Sequence, residues 1–436
     1  MGKNGDNEAS ASNEIKQQTK KNGSSESESA KPKKFLFVSL ESLSGDVAWA
    51  LAKEGHKVRA YIKDRNDADV YDGFIEKINR WEDSIEWADV IIFDDVEFGE
   101  TADKLRKKGK PVIGGSVYTD RLEIDREFGQ AELKKYGVNT LPGWQFSGYN
   151  EAIRFIRENP ARYVFKPSGN VPSDDKELIF LGQEEDGRDL LEHLEQNHRV
   201  LKKRVPMFLL QKFIAGVEVA VGAFFNGKDF VYPINVNFEH KRVFPGNIGP
   251  FSGEMGTLMF WSPPNEIFRS TLERMLPALR ESGYIGYIDI NCIVNGRGIY
   301  PLEWTARFGY PTISIQLEGI TMPAGEWLWR LARGENFELK TKRGFQVGVV
   351  VLVPSYFYGA DSIEVGVYRD LAVTFKNPAN LEGLHLGDIK QEDGGGVIAS
   401  AGWITFVSRR MSGLPFRGFR TSWKTSSSQY WFPWMK

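Results

Sequence analysis

With 436 residues, 41% hydrophobic and 26% charged, the chain is long enough for two or three domains with sizeable cores. A formal net charge of −2 offers no electrostatic basis for nucleic acid as a partner. The single cysteine, Cys292, excludes an intramolecular disulfide and a cysteine-based zinc site, and no apolar run reaches membrane-spanning length, which points to a cytoplasmic protein without a membrane partner.

Residues 1–34 carry seven lysines and five acids among Ser, Asn and Gln, with almost no large apolar side chain, and predict a solvated, disordered tail. Order begins at Phe35-Leu36-Phe37-Val38, a buried strand. A turn at Ser42–Gly45 leads into a helix from Asp46 that stops at Gly55, and Val58–Ile62 is the next strand. Strands at Val90–Phe93 and Pro111–Gly114 continue the alternation, so 35–140 reads as a Rossmann-like parallel α/β domain. The first turn lacks G-x-G-x-x-G, so no dinucleotide is indicated.

A polar helix is expected over 125–137 and another near 149–158, followed by the strand Tyr163–Lys166. Strands at 208–214, 217–226 and 229–237 make an α+β unit over 141–340, with a lid at about 150–215. One amphipathic helix is predicted for 266–282, then a hairpin of Tyr284–Val294 and Ile299–Trp304. A small, incomplete β-rich domain is expected over 341–400. Residues 401–436 hold six Lys or Arg, no acid and four tryptophans, show no strand period past Val407, and are expected to lie outside the fold.

Four features carry chemistry. Lys166 ends an apolar strand before Pro167-Ser168-Gly169, where its ammonium suits nucleotide phosphates. The run Leu209–Glu218 reads as strand, connector and strand, so that Gln211, Lys212 and Phe213 offer groups to a flat purine edge and Glu218 to ribose hydroxyls. In the 284–304 hairpin, a three- or five-residue loop places Asn291 opposite Glu303 and Asp289 opposite Thr305, an oxygen-rich patch of the kind Mg2+ requires. Finally, His240-Lys241-Arg242 precede a segment with Gly246, Gly249, Gly253 and Gly256, read as an anion-seeking loop.

The stretch from His240 to Gly256 resembles the "HKR…GDxGPNTGGMG" segment of phosphoribosylamine–glycine ligase, a purine-pathway member of the ATP-grasp superfamily, and Leu302–Gly309 resembles its "EFNxRFGDPE". The likeness spans roughly residues 35–350. It implies an ATP-grasp fold behind a Rossmann-like domain, ATP with Mg2+ or Mn2+, and carboxylate and amine substrates joined through an acyl phosphate, in a monomer or homodimer.

By the same resemblance Lys166, Gln211, Lys212, Phe213, Glu218 and Arg126 hold the nucleotide. Glu303, Asn291, Asp289 and Thr305 hold the metal. Arg307 and Lys166 are catalytic, and Lys241, Arg242, Asn247, Gly249, Ser252, Gly253, Glu254 and Gly256 hold the substrate. His240 is a further candidate base.

The departures matter as much. The family's "GxGGREHA" turn is replaced by Ser39–Asp46, which speaks against phosphoribosylamine. "RFGDPE" becomes Arg307-Phe308-Gly309-Tyr310-Pro311-Thr312, losing two acids, while "NTGGMG" becomes Phe251–Gly256 and gains Glu254. The expected metal asparagine is Thr305. Three readings follow: a ligase with altered substrates, a genuine phosphoribosylamine–glycine ligase, or a nucleotide-binding protein without turnover.

Overall fold

The computed structural model describes residues 31–169, 178–352, 370, 372–373, 383–392, 395–398, 403–411, 424–425 and 428–429. Of the tail expected over 1–34, residues 1–30 lie outside them, while Lys33 is buried and Lys34 already opens the first strand.

A five-stranded parallel sheet has the order β3-β2-β1-β4-β5, formed by β1 (Lys34–Ser39), β2 (Lys57–Ile62), β3 (Glu76–Lys77), β4 (Val90–Phe93) and β5 (Val112–Ile113). The run of apolar residues in β1 reflects burial on both faces. Phe35 and Phe37 pack with Val47 and Leu51 of α1 (Gly45–Lys53), whereas Leu36 and Val38 pack with Ala102 and Leu105 of α2 (Gly99–Lys107). Strand order reverses between β1 and β4, so the carboxyl ends of these two strands frame a crevice. Ser42, at φ 64°, makes the sharp turn there.

Two helices follow where one was expected: α3 (Val117–Ile124), with a Ser116–Thr119 capping box, and α4 (Arg126–Lys135), capped by the Asp125 side chain. A four-stranded antiparallel sheet, order β6-β9-β7-β8, comprises β6 (Gly143–Phe146), β7 (Tyr163–Pro167), β8 (Phe180–Leu181) and β9 (Phe208–Lys212). Helices α5 (Tyr149–Glu158) and α6 (Arg188–Arg204) cover it, with Ile153, Phe165, Leu190, Leu194 and Phe208 in the core. α6 was absent from the sequence reading because its polar face dominates its composition.

The largest sheet has eight strands, in the order β14-β13-β10-β11-β12-β15-β20-β17. It contains β10 (Val217–Phe225), β11 (Phe230–Phe244), β12 (Ile248–Ser262), β13 (Gly286–Asn295), β14 (Gly298–Thr305), β15 (Phe345–Leu352), β17 (Leu384–Leu386) and β20 (Trp403–Met411). The glycine-rich segment is therefore no loop: β11 and β12 are a long antiparallel hairpin, pairing Glu239 with Thr257 and His240 with Gly256. The helix expected over 266–282 is broken into α7 (Glu266–Ser270), a 3-10 turn (Leu272–Met275) and α8 (Leu276–Ser282). Pro277 at the start of α8 cannot donate to a continuing helix. Helices α9 (Thr312–Gly319) and α10 (Ala324–Ala332) complete this layer, and Trp327 of α10 joins the core under β1. A three-stranded sheet, order β16-β19-β18, is made by β16 (Ala372–Val373), β18 (Ile389–Glu392) and β19 (Gly395–Ile398).

The C-terminal expectation is corrected by β20. It pairs with β15 from Phe345↔Met411 to Leu352↔Trp403 and with β17 on its other side, so 403–411 is interior to the sheet. Deleting residues 401–436 is expected to lower the melting temperature by several degrees, because β15 and β17 lose their common neighbour. An unchanged circular-dichroism melt would show β20 to be dispensable.

His385 of β17 ties this region to α1. Its Nδ1 lies 2.5 Å from Asp46 Oδ2, and its Nε2 is 3.5 Å from Glu318 Oε1. Burial opposes the imidazolium, but the two carboxylates outweigh it and push the pKa up to about 9. A raised histidine stabilises fully below its unfolded value, and that contribution fades as pH rises through 9. The clasp is therefore worth about 3 kcal/mol at pH 6 and little above pH 9. His385→Asn should cost much more in urea unfolding at pH 6 than at pH 9.5; equal losses would remove the ion pair.

Candidate active site

A cleft of about 510 Å3 is walled by the four-stranded sheet, the face of the eight-stranded sheet and the end of α3. It gathers thirteen of the residues singled out above: Arg126, Lys166, Gln211, Lys212, Phe213, Glu218, Lys241, Glu254, Asp289, Asn291, Glu303, Thr305 and Arg307. A second depression, of about 990 Å3, lies at Asn226–Phe230 and Gly334–Glu338 and holds none of these groups.

The hairpin of β13 and β14 pairs Asn291 with Glu303 and Asp289 with Thr305, although not by the expected loop. Asn295 pairs with Gly298 across a two-residue turn, which alone would set Asn291 opposite Leu302. A one-residue bulge at Leu302 restores the pairing. Gln130, one turn along α4 from Arg126, braces that bulge by donating to the Pro301 and Leu302 carbonyls at 3.3 and 3.2 Å. Arg126 itself donates to Pro167 O (2.9 Å) and Glu303 Oε2 (3.1 Å), linking the four-stranded sheet to the Asn291–Glu303 pair.

Lys241 Nζ stands between three carboxylates, at 2.7 Å from Glu218, 3.0 Å from Glu303 and 3.6 Å from Glu239. Burial opposes its charge, but the three acids hold its pKa well above the ordinary lysine range. Lys241 in turn, with Arg126 and Lys166, holds Glu303 well below the carboxylate range. This lysine thus organises the acids rather than presenting itself to a substrate anion. Lys166 is buried, and desolvation pulls its pKa down to about 8 against the attraction of Glu303.

At the proposed purine end, Gln211 is 2% exposed and its Nε2 has no hydrogen-bond partner among the described residues. The Lys212 and Phe213 amides already donate to Pro142 O and Arg162 O, both at 2.9 Å, so they are not presented to a base edge.

Arg307 bridges two acids that no spacing rule linked to it, Asp95 (3.2 Å) and Glu123 (3.1 Å). Burial pushes Asp95 up to about 7 despite Arg307. Asp94 beside it is fully buried; one of its carboxylate oxygens accepts from the Ser44 amide and hydroxyl. The crevice at the ends of β1 and β4 is therefore acidic. Asp289, buried and near Glu239, is raised well above the carboxylate range, while a hydrogen bond from Thr305 acts the other way.

Among the described residues the cleft lining does not include Arg242, Asn247, Gly249 or Gly256. Arg242 donates to Gly249 O (2.6 Å) and His240 Nε2 lies 3.0 Å from Phe244 O, so both build the hairpin tip, where Asn247 at φ 59° turns the chain. Ser252 and Gly253 are strand residues of β12. Glu239 was missed because β11 was expected to end at residue 237. Had the strand been extended, its two-residue period would have set Glu239 and Lys241 on one face.

The acid lost at position 312 and the acid gained at 254 meet. Thr312 donates its hydroxyl to Glu254 Oε2 at 3.0 Å, and Thr257 donates to the other carboxylate oxygen.

The phosphoribosylglycinamide synthetase ATP-grasp (A) domain model matches residues 124–313. Phosphoribosylamine–glycine ligase of Listeria monocytogenes serovar 1/2a is 25% identical over 326 residues, 70% of this chain and 73% of that protein. The crystal structure of phosphoribosylamine–glycine ligase from Thermotoga maritima aligns with a TM-score of 0.62 at 19% identity, covering 86% of this chain and 92% of that one. N5-carboxyaminoimidazole synthetase from Staphylococcus aureus complexed with ADP gives 0.56 at 13% identity, covering 87% and 94%.

Proposed function

We infer that this chain, which carries an ATP-grasp domain of the phosphoribosylglycinamide synthetase type, is an ATP-dependent carboxylate–amine ligase acting on substrates other than phosphoribosylamine and glycine. The observation that carries this reading is the convergence of Lys166, Arg126, Glu218, Glu303 and Asn291 on one cleft, drawn from three separate structural layers.

ATP binds with its phosphates toward Lys166 and Arg126 and its ribose toward Glu218. The donor set suits Mg2+: Glu303 offers a carboxylate, and the paired Asn291 has a buried Oδ1 without a hydrogen-bond partner among the described residues. Among the described residues no three acid, His or Cys groups form a metal cage, so substrate phosphates must complete the coordination. When bound, the ion neutralises charge on the transferred phosphoryl group. Lys166 and Arg126 align the γ-phosphate with a substrate carboxylate, whose oxygen takes the phosphoryl group. The amine then attacks the acyl carbon and phosphate leaves.

Where β1 and β4 end, Arg307 is engaged by Asp95 and Glu123 rather than presented to a phosphorylated substrate. This disfavours genuine glycine ligase activity. A nucleotide binder without turnover is supported only by Thr305, whose hydroxyl is committed to Asp289.

The test is positional isotope exchange in [βγ-bridge-18O]ATP, run with a panel of amino acids and of mono- and dicarboxylates. Carboxylate-dependent scrambling is expected. Nucleotide binding without scrambling on any carboxylate would favour the inactive reading.

A further inference from the structure

Glu254 is a buried carboxyl on the cleft wall, 9% exposed, whose hydrogen-bond partners are the hydroxyls of Thr257 and Thr312. The nearby cations are committed elsewhere, Lys241 to Glu218, Glu239 and Glu303, and Arg307 to Asp95 and Glu123. Burial beside Glu239 and Asp289 holds Glu254 toward its neutral form, and a positive partner is what draws it to the carboxylate. Its position answers what that partner is. Thr312, with Arg307, Gly309 and Tyr310, lines the same cleft as Lys166 and Arg126, where on the ligase reading the amine must meet the acyl phosphate. In the motif that this segment resembles, position 312 is an acid and position 254 a glycine; here the acid stands on β12 and reaches the same spot across a 3.0 Å hydrogen bond.

We propose that Glu254 is a catalytic residue of this chain, binding the ammonium group of the amine substrate and taking its proton before attack. The proposal rests on the ligase reading. Its balance is simple: the ammonium N–H breaks and Glu254 gains the proton, leaving a free amine. The nitrogen lone pair bonds to the acyl carbon, the bond from that carbon to the phosphate oxygen breaks, and inorganic phosphate departs with the electron pair. Burial, which raises the pKa of Glu254 well above the usual carboxylate range, brings it closer to that of an ammonium and so eases the transfer.

The experiment compares wild type, Glu254→Gln, Glu254→Gly and the double variant Glu254→Gly/Thr312→Glu. Each is assayed for carboxylate-dependent isotope exchange in ATP and for amide formation with the twenty amino acids and 1,4-diaminobutane as amines. Hydroxylamine, largely unprotonated at neutral pH, serves as a nucleophile that needs no base. In Glu254→Gln the ratio of amide formation to exchange is expected to fall about 100-fold, with hydroxamate formation falling far less. The double variant should recover about tenfold over Glu254→Gly, since the carboxyl returns from the other side of the same contact. Parallel loss of exchange and amide formation, an unchanged ratio, equal loss with hydroxylamine, or no recovery in the double variant would each overturn the proposal. Absence of exchange in the wild type with every carboxylate would instead remove the ligase reading on which it rests.

Discussion

Glu303→Gln is expected to reduce turnover by about 100-fold or more while weakening ATP binding only modestly. The carboxylate is the point where three elements meet: β14 carries it, Arg126 of α4 and Lys241 of β11 hold its two oxygens, and Asn291 lies across the pair. Glutamine keeps the shape but loses the charge, so Lys241 and Arg126 face one another with less to separate them. The charge relevant to a magnesium-bound phosphate disappears as well, and that charge counts most when the phosphoryl group is in flight. Because Glu303 is part-exposed, the stability cost is put at about 2 kcal/mol, below that of a fully buried pair. Stopped-flow phosphate release with nucleotide affinity measured alongside separates the two effects. Equal changes in both would show Glu303 to be a general binding group.

Lys166→Ala is expected to weaken nucleotide binding by about 30-fold or more, the loss of a buried cation opposite phosphate being worth at least about 2 kcal/mol. The lysine is 7% exposed, so little water replaces it. It also predicts a pH dependence. Its free-protein pKa of about 8 means that it begins to lose its charge as pH rises through that value. Binding of ADP should therefore weaken between pH 7 and pH 9 in the wild type, and the slope should flatten in Lys166→Ala. A slope that survives the substitution belongs to another group.

Local elements were legible where pattern is local. The apolar run of β1, the stop at Gly55 and the alternation up to residue 113 predicted a parallel sheet because a strand covered on both faces leaves that trace. The pairing of Asn291 with Glu303 was also anticipated, yet through a three- or five-residue loop, whereas a two-residue turn and the Leu302 bulge produce it. The bulge depends on Gln130, some 170 residues earlier in the chain, so no reading of the hairpin alone reveals it. Glycines misled: Gly249 and Gly256 look like loop residues, but they sit in a long hairpin whose partner strands supply the hydrogen bonds.

By itself the sequence determined the strand–helix order, the resemblance and the residue types of the site, since these depend on neighbours a few positions apart. Only the tertiary structure decided their roles. It made Lys241 the hub of three acids, set Arg307 between Asp95 and Glu123, drew β20 into the sheet and joined Thr312 to Glu254. The physical reason is that charge and hydrogen bonding act through distances of a few ångströms, and those distances are created when segments far apart in the chain pack together.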